Sequence, residues 1–210
     1  MKKALVVMLA VLLVMSTNIF AQKFVVGVKG GLNLANVTSD PEPPYELNTR
    51  TAMVAGAFVG LNFGSFTVQP ELLYSMKGTT SSFDILGVTV DNTTKADYFE
   101  IPVLLKYNIP LPGAVTPSIF VGPSIGFLLS CKNVSEAGGS TSEIDYTDST
   151  KSTDFGLVFG AGLSINVGSL ILTLDGRYNL GLTDINNSSE AVEIKTNAIQ
   201  IMVGIGFPIK

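Results

Sequence analysis

DFGLVFGAGLSINV, running from Asp154 to Val167, is the stretch that decides the fold. Phe155, Leu157, Phe159, Ala161, Leu163, Ile165 and Val167 share one parity, while Asp154, Gly156, Gly160, Gly162, Ser164 and Asn166 share the other. A period of two is the signature of a β-strand, whose successive side chains point to opposite faces. Here one face is continuously apolar and the other is small or polar.

The same alternation recurs on both sides of this segment, at Phe24–Asn36, Ala52–Phe63, Phe66–Lys77, Tyr98–Asn108, Pro117–Leu129, Leu170–Leu182 and Asn197–Ile209. That makes eight strands. The connections alternate in length. Gly64-Ser65 and Gly168-Ser169 are two-residue hairpin turns of the Gly-X kind, and Ile109 to Thr116 is brief and proline-rich. Thr38 to Arg50, Gly78 to Asp97, Ser130 to Thr153 and Thr183 to Thr196 are long and polar, and read as loops. Consecutive antiparallel strands joined in this way predict an all-β, eight-stranded, up-and-down barrel.

The composition of the second face settles which side looks outward. A soluble barrel turns a Lys- and Glu-rich face to water, but here that face is mainly Gly, Ser, Ala, Asn and Thr. Small residues suit the crowded interior of an eight-stranded barrel. The apolar face is therefore assigned to lipid, and the barrel is read as transmembrane. Tyr74, Phe99, Phe127, Phe155 and Tyr178 fall near the long-connection ends of the strands, and Phe24, Phe63, Phe66, Tyr107 and Phe207 near the short-turn ends, forming two aromatic girdles. Phe58 breaks the alternation of the second strand. Tyr98 and Phe120 fall on the inner parity, which predicts a bulge or an interior plug in strands four and five. Pro70 and Pro102 each remove a ladder donor, so a bulge or bend is expected at both.

Met1-Lys2-Lys3 followed by an uncharged apolar run and closing at Phe20-Ala21 reads as a secretory signal peptide, residues 1–21, ahead of a barrel domain at residues 22–210. Removing it leaves 11 basic and 17 acidic residues and a net charge of −6. No basic patch is present to bind nucleic acid. Long extracellular loops and short periplasmic turns are the usual arrangement of bacterial outer-membrane barrels. The chain is accordingly placed in the outer membrane of a Gram-negative bacterium, with outer-membrane lipid around it and both termini periplasmic.

Gly27-Val28-Lys29-Gly30-Gly31-Leu32-Asn33, Gln69 to Gly78 (QPELLYSMKG) and Tyr98 to Tyr107 (YFEIPVLLKY) resemble the PorT-like outer-membrane β-barrel family, and the likeness runs through the whole mature chain. The resemblance implies an outer-membrane barrel, with one branch of the family tied to protein secretion and gliding. These motifs mark the barrel and not the branch, so the secretion role does not transfer with them.

Catalytic chemistry has little to build on. The chain has no His to act as a general base, and Cys131, its only cysteine, has neither a base beside it nor a second thiol for a disulfide. No catalytic residue, metal ligand or cofactor is assigned. Glu143, Asp145 and Asp148 read as solvated loop charge. The strongest constellation lies on the inner face, where Lys29, Glu71, Glu100, Asp175 and Arg177 fall near mid-height. Charges at bilayer depth require partners, so these five predict an interior ion network that plugs the lumen. The expected role is non-enzymatic and either structural or mediated by the long loops, which would meet an extracellular ligand. The alternative is a transport or protein-secretion component, a small pore or a subunit that meets secretion-machinery protein through those loops.

Overall fold

The computed structural model describes residues 23–85, 87–188 and 192–209, so the signal segment expected at residues 1–21 lies outside the described residues. Among the described residues nine strands follow one another: β1 (Lys23–Asp40), β2 (Asn48–Phe63), β3 (Phe66–Ile85), β4 (Val88–Asn108), β5 (Val115–Ala137), β6 (Ser140–Asp145), β7 (Thr153–Val167), β8 (Leu170–Gly181) and β9 (Glu193–Ile209). All pairings are antiparallel. β1 bonds to both β2 and β9, and β5 to both β4 and β7, closing a ring of eight strands that excludes only β6.

The period of two orients every wall residue. Met53 and Val203 on the outer face are each 63% exposed, whereas Lys29 on the inner face is 5% exposed. The buried set is consequently rich in polar groups, with Asn33, Glu71, Ser75, Glu100, Asp175 and Gln200 all sealed from solvent, while Val28, Leu32, Leu72, Ile119 and Leu174 face outward. This inversion is what an apolar solvent demands. Every backbone polar group of a membrane-spanning segment needs an internal partner, and ring closure removes the sheet edges that would lack one.

The girdle residues Tyr74, Phe99, Phe127, Phe155, Phe66, Tyr107 and Phe207 stand exposed on the outer surface. Phe66 and Tyr107 touch across β3 and β4 with ring centres 5.2 Å apart, and the Tyr74 hydroxyl donates to Asp97 at 2.7 Å. Amphipathic rings of this kind suit a boundary with apolar chains on one side and water on the other.

Two connections read as loops are largely strand. β3 and β4 pair without a break from Met76↔Asp97 to Ile85↔Val88, so Gly78 to Asp97 is mostly a β-ribbon. Ser130 to Thr153 contains the end of β5, a turn at Gly138-Gly139 with φ of +55° and +82°, and β6. The reason is chemical. These segments interleave Thr and Val, good strand formers, with polar Ser, Asn and Asp, and so show no apolar stripe.

At the prolines the ladder register is unbroken. Pro70↔Val103 and Pro102↔Ser124 hold the same register as the pairs on either side, so neither sits at a bulge. Register shifts fall instead between Thr49 and Val54 on β2, and between Asp97 and Tyr98 on β4, where Asp97↔Ser130 is followed by Tyr98↔Leu128 and Leu129 is left over. The second shift adjoins Tyr98, whose side chain is completely buried inside the barrel, as Phe120 is almost completely. Both features expected for strands four and five are thus present.

Candidate functional site: the lumen

The lumen holds four cations, Lys29, Lys77, Lys106 and Arg177, and four carboxylates, Glu71, Glu100, Asp154 and Asp175, all buried. They divide into two clusters. In the first, Lys29 Nζ bridges Glu71 Oε1 at 2.8 Å and Asp175 Oδ2 at 2.6 Å. Arg177 Nη1 reaches Glu71 Oε2 at 2.6 Å, Arg177 Nε donates to Gln200 Oε1 at 2.7 Å, and Gln69 donates to Glu71 Oε1 at 2.6 Å. Lys106 closes the group 3.5 Å from Asp175 Oδ1.

The second cluster centres on Lys77, six residues beyond Glu71 on β3 toward the long connections, and adjoins the first, since Glu100 pairs with Leu73, two residues from Glu71, and Asn179 stands two residues from Arg177. Its ammonium lies 2.6 Å from Glu100 Oε1, 3.6 Å from Asp154 Oδ2 and 3.3 Å from Thr196 Oγ1. The Thr196 hydroxyl donates to Asp154 Oδ2 at 2.6 Å, and Asn179 donates to Glu100 Oε1 at 3.2 Å. Of the five residues expected in one network, Lys29, Glu71, Asp175 and Arg177 meet, while Glu100 belongs to this other group.

Lys77, Lys106 and Asp154 complete the set. All three carried a usable signal, since each lies on the inner parity of its strand, but an estimate of height along the barrel placed them away from the middle. Strand stagger in a tilted barrel makes that coordinate unreliable in sequence, whereas parity survives it.

Each lumen lysine also has an aromatic partner. Lys29 Nζ lies 5.1 Å from the centre of the Phe58 ring, Lys77 Nζ 5.2 Å from Tyr98 and Lys106 Nζ 5.1 Å from Phe120. These are the three aromatics that interrupt the small-residue inner face. A desolvated ammonium over a ring face gains from the ring quadrupole, and the ring fills space beside the ion pair. The ring of Phe58 is accommodated because Gly27 has no Cβ, which would fall 2.5 Å from it. Leu104, Phe120 and Val158 pack together as one interior plug, and Val54, Leu73 and Met202 as another.

Chemically this is a filled channel with paired charges. Removing one partner from a buried pair leaves the other uncompensated, so each of the eight charges is held in place by the rest. Cys131 is buried beside Ala96 and Tyr98.

Two solved structures show what this fold is similar to. Neisserial surface protein A superimposes with a TM-score of 0.51 at 14% identity, covering 88% of this chain and 96% of that one. OprG, an outer membrane protein of Pseudomonas aeruginosa, gives a TM-score of 0.52 at 12% identity, covering 90% of this chain and 96% of that one. At such identities the likeness is one of fold. No curated protein matches the chain. The family model described as outer membrane protein beta-barrel domain matches residues 20–187, most of the ring and seven of the eight strands that form it. The chain belongs to this family of outer-membrane β-barrels.

Proposed function

We propose that this barrel is non-enzymatic, that its lumen is closed, and that its specific work lies at the rim formed by the long connections, where β3, β4 and β5 rise beyond the lipid-facing wall and meet an extracellular partner. The observation that carries this reading is the filled interior. Two ion clusters and three inward aromatics occupy the lumen, whereas the segments beyond it are polar, extended and exposed. In the same reading residues 1–21 are removed on export, the mature domain begins at residue 22, and both termini are periplasmic, on the side of Gly64-Ser65 and Gly168-Ser169. The likeness to the PorT-like family rests on the three segments quoted above, which mark the barrel and not its secretion branch. The interior charges, Lys29, Glu71, Glu100, Asp175 and Arg177 among them, serve as a structural plug.

Two measurements test this. In planar bilayers the folded protein should show no steady single-channel current, and a regular conductance would overturn the closed lumen. Chemical cross-linking of intact outer membranes should capture contacts through the long connections. Capture of a periplasmic or secretion assembly through the short turns would favour a transport or secretion component instead.

A further inference from the structure

The strand outside the ring has a free edge. β6 pairs only with β5, from Lys132↔Asp145 to Ala137↔Ser140, and all six of its residues are exposed. The phase of the ladder follows from the next residue, because the Tyr146 N–H donates to the Cys131 carbonyl at 2.8 Å. Bonded and non-bonded pairs alternate in an antiparallel ladder, so Ser140, Ser142 and Ile144 turn their backbone groups toward β5. Thr141, Glu143 and Asp145 turn theirs outward. Among the described residues no backbone hydrogen bond reaches that outer edge.

An exposed strand edge is a template for another strand, and proteins ordinarily blunt it with Lys, Pro or a bulge. β6 (STSEID) has none of these. Its distinguishing groups are the Glu143 and Asp145 carboxylates, two residues apart and therefore on one face. Glu143 meets one cation, Lys132, at 2.7 Å, in a pair that stays solvated.

The surroundings have the same sign. Four of the 17 acidic residues are in the lumen, and a further 12 among the described residues lie in or beside the long connections, against five basic residues there, Arg50, Lys95, Lys132, Lys151 and Lys195. Among the described residues the rim therefore carries a net charge of −7. Two copies of β6 laid edge to edge would set carboxylate against carboxylate, and like charges directly opposite are destabilising. The charge thus protects the edge from self-association and leaves it open to a strand of opposite sign.

We propose that β6 is a docking edge for an extended, basic polypeptide segment, which adds as a further strand on the backbone groups of Thr141, Glu143 and Asp145 and sets Lys or Arg at alternate positions opposite the two carboxylates. This deepens the reading of the rim as a contact surface and rests on it. Main-chain bonds supply the attachment in strand addition and side-chain positions the selectivity. The acidic rim steers the segment in, so association weakens as salt rises.

The test uses the full folded chain in lipid nanodiscs and a short fluorescent peptide of alternating Lys and Thr. Binding is expected to weaken roughly tenfold in the E143K/D145K variant, which reverses two cross-strand pairs. Thr141→Pro, which removes an outward N–H and leaves the β5 ladder intact, should also weaken it. The same peptide methylated on every second backbone nitrogen keeps its charge and should not bind. A retained heat-dependent electrophoretic shift confirms that the variants are folded barrels. Equal binding of the methylated peptide, undiminished binding to E143K/D145K, or dimerisation of the protein through β6 would overturn the proposal. If cross-linked outer membranes yield the same rim contacts from E143K/D145K as from the native chain, the β6 edge is refuted while the rim reading stands. If neither chain yields rim contacts yet the peptide binds as expected, it is the rim reading that fails.

Discussion

Lys77 and Tyr98 stand on adjacent strands with the lysine ammonium 5.2 Å from the centre of the tyrosine ring, and Glu100, 2.6 Å from the same ammonium, lies two residues along from the tyrosine. One inward-facing pair of positions on β4 thus supplies both a carboxylate and a π-face to a single cation. The same combination surrounds Lys29, between Glu71, Asp175 and Phe58, and Lys106, between Asp175 and Phe120.

Arg177→Ala is expected to destabilise the barrel by about 3–5 kcal/mol, because it leaves the Glu71 carboxylate with one of its two cations. The midpoint of the heat-dependent electrophoretic shift reads this loss. Current in planar bilayers should remain absent, since Lys29, Gln69 and the apolar plugs stay in place. A clear rise in single-channel current would show that the arginine gates a path.

Phe58→Leu keeps an apolar group of similar bulk and removes the π-face beneath Lys29. A loss of about 1–2 kcal/mol is expected in urea-induced unfolding from micelles. The double variant with Lys29→Met should show coupling between the two sites, and strict additivity would mean that the ring acts as filler alone.

Gly122→Val should prevent the barrel from closing, because a Cβ there would lie 2.0 Å from the Val103 carbonyl oxygen on β4. Gly176→Ala makes the contrast, for a Cβ at that position meets nothing within 4 Å. Refolding yield into detergent should collapse for the first and stay native for the second.

Strand parity was legible throughout the wall. Lys29, Glu71, Asp175 and Arg177 could be assigned to the lumen because neighbours of known face flank each of them. The partner of a given charge was not legible, since it depends on stagger, and Glu100 accordingly bonds to Lys77 in a separate cluster. Phe58, Tyr98 and Phe120 stood out as interruptions, but their purpose needed the lysines' positions in space. The Gly78 to Asp97 ribbon was hidden for the opposite reason: with water on both faces, a strand has no apolar side to announce it.

Outside the membrane, Asp184 anchors the connection between β8 and β9. Its carboxylate accepts from Lys151 Nζ at 2.6 Å, from the Ile194 N–H at 2.9 Å and from the Asn186 N–H at 3.0 Å, and the Lys151 contact above all holds its pKa down at about 2. A carboxylate depressed in the folded state contributes its stabilisation fully above its unfolded pKa and loses it as pH falls through the folded one. Protection of the Ile194 amide should therefore be level above about pH 4 and fall away toward pH 2. Asp184→Asn should flatten that dependence, and an unchanged profile would remove the anchor.

The charges of the first lumen cluster are joined across the chain and not within its hairpins, unlike Lys77 and Glu100, which pair across the β3–β4 hairpin. Lys29 on β1 bonds to Asp175 on β8, 146 residues later, and Arg177 on β8 to Glu71 on β3, 106 residues earlier. A hairpin entering the bilayer alone would carry the charges of this cluster unpaired, since their partners arrive on strands outside that hairpin. Partly inserted intermediates are penalised and the closed ring is not. The pairing thereby favours assembly in which β1, β3, β4 and β8 come together before the wall is committed to lipid.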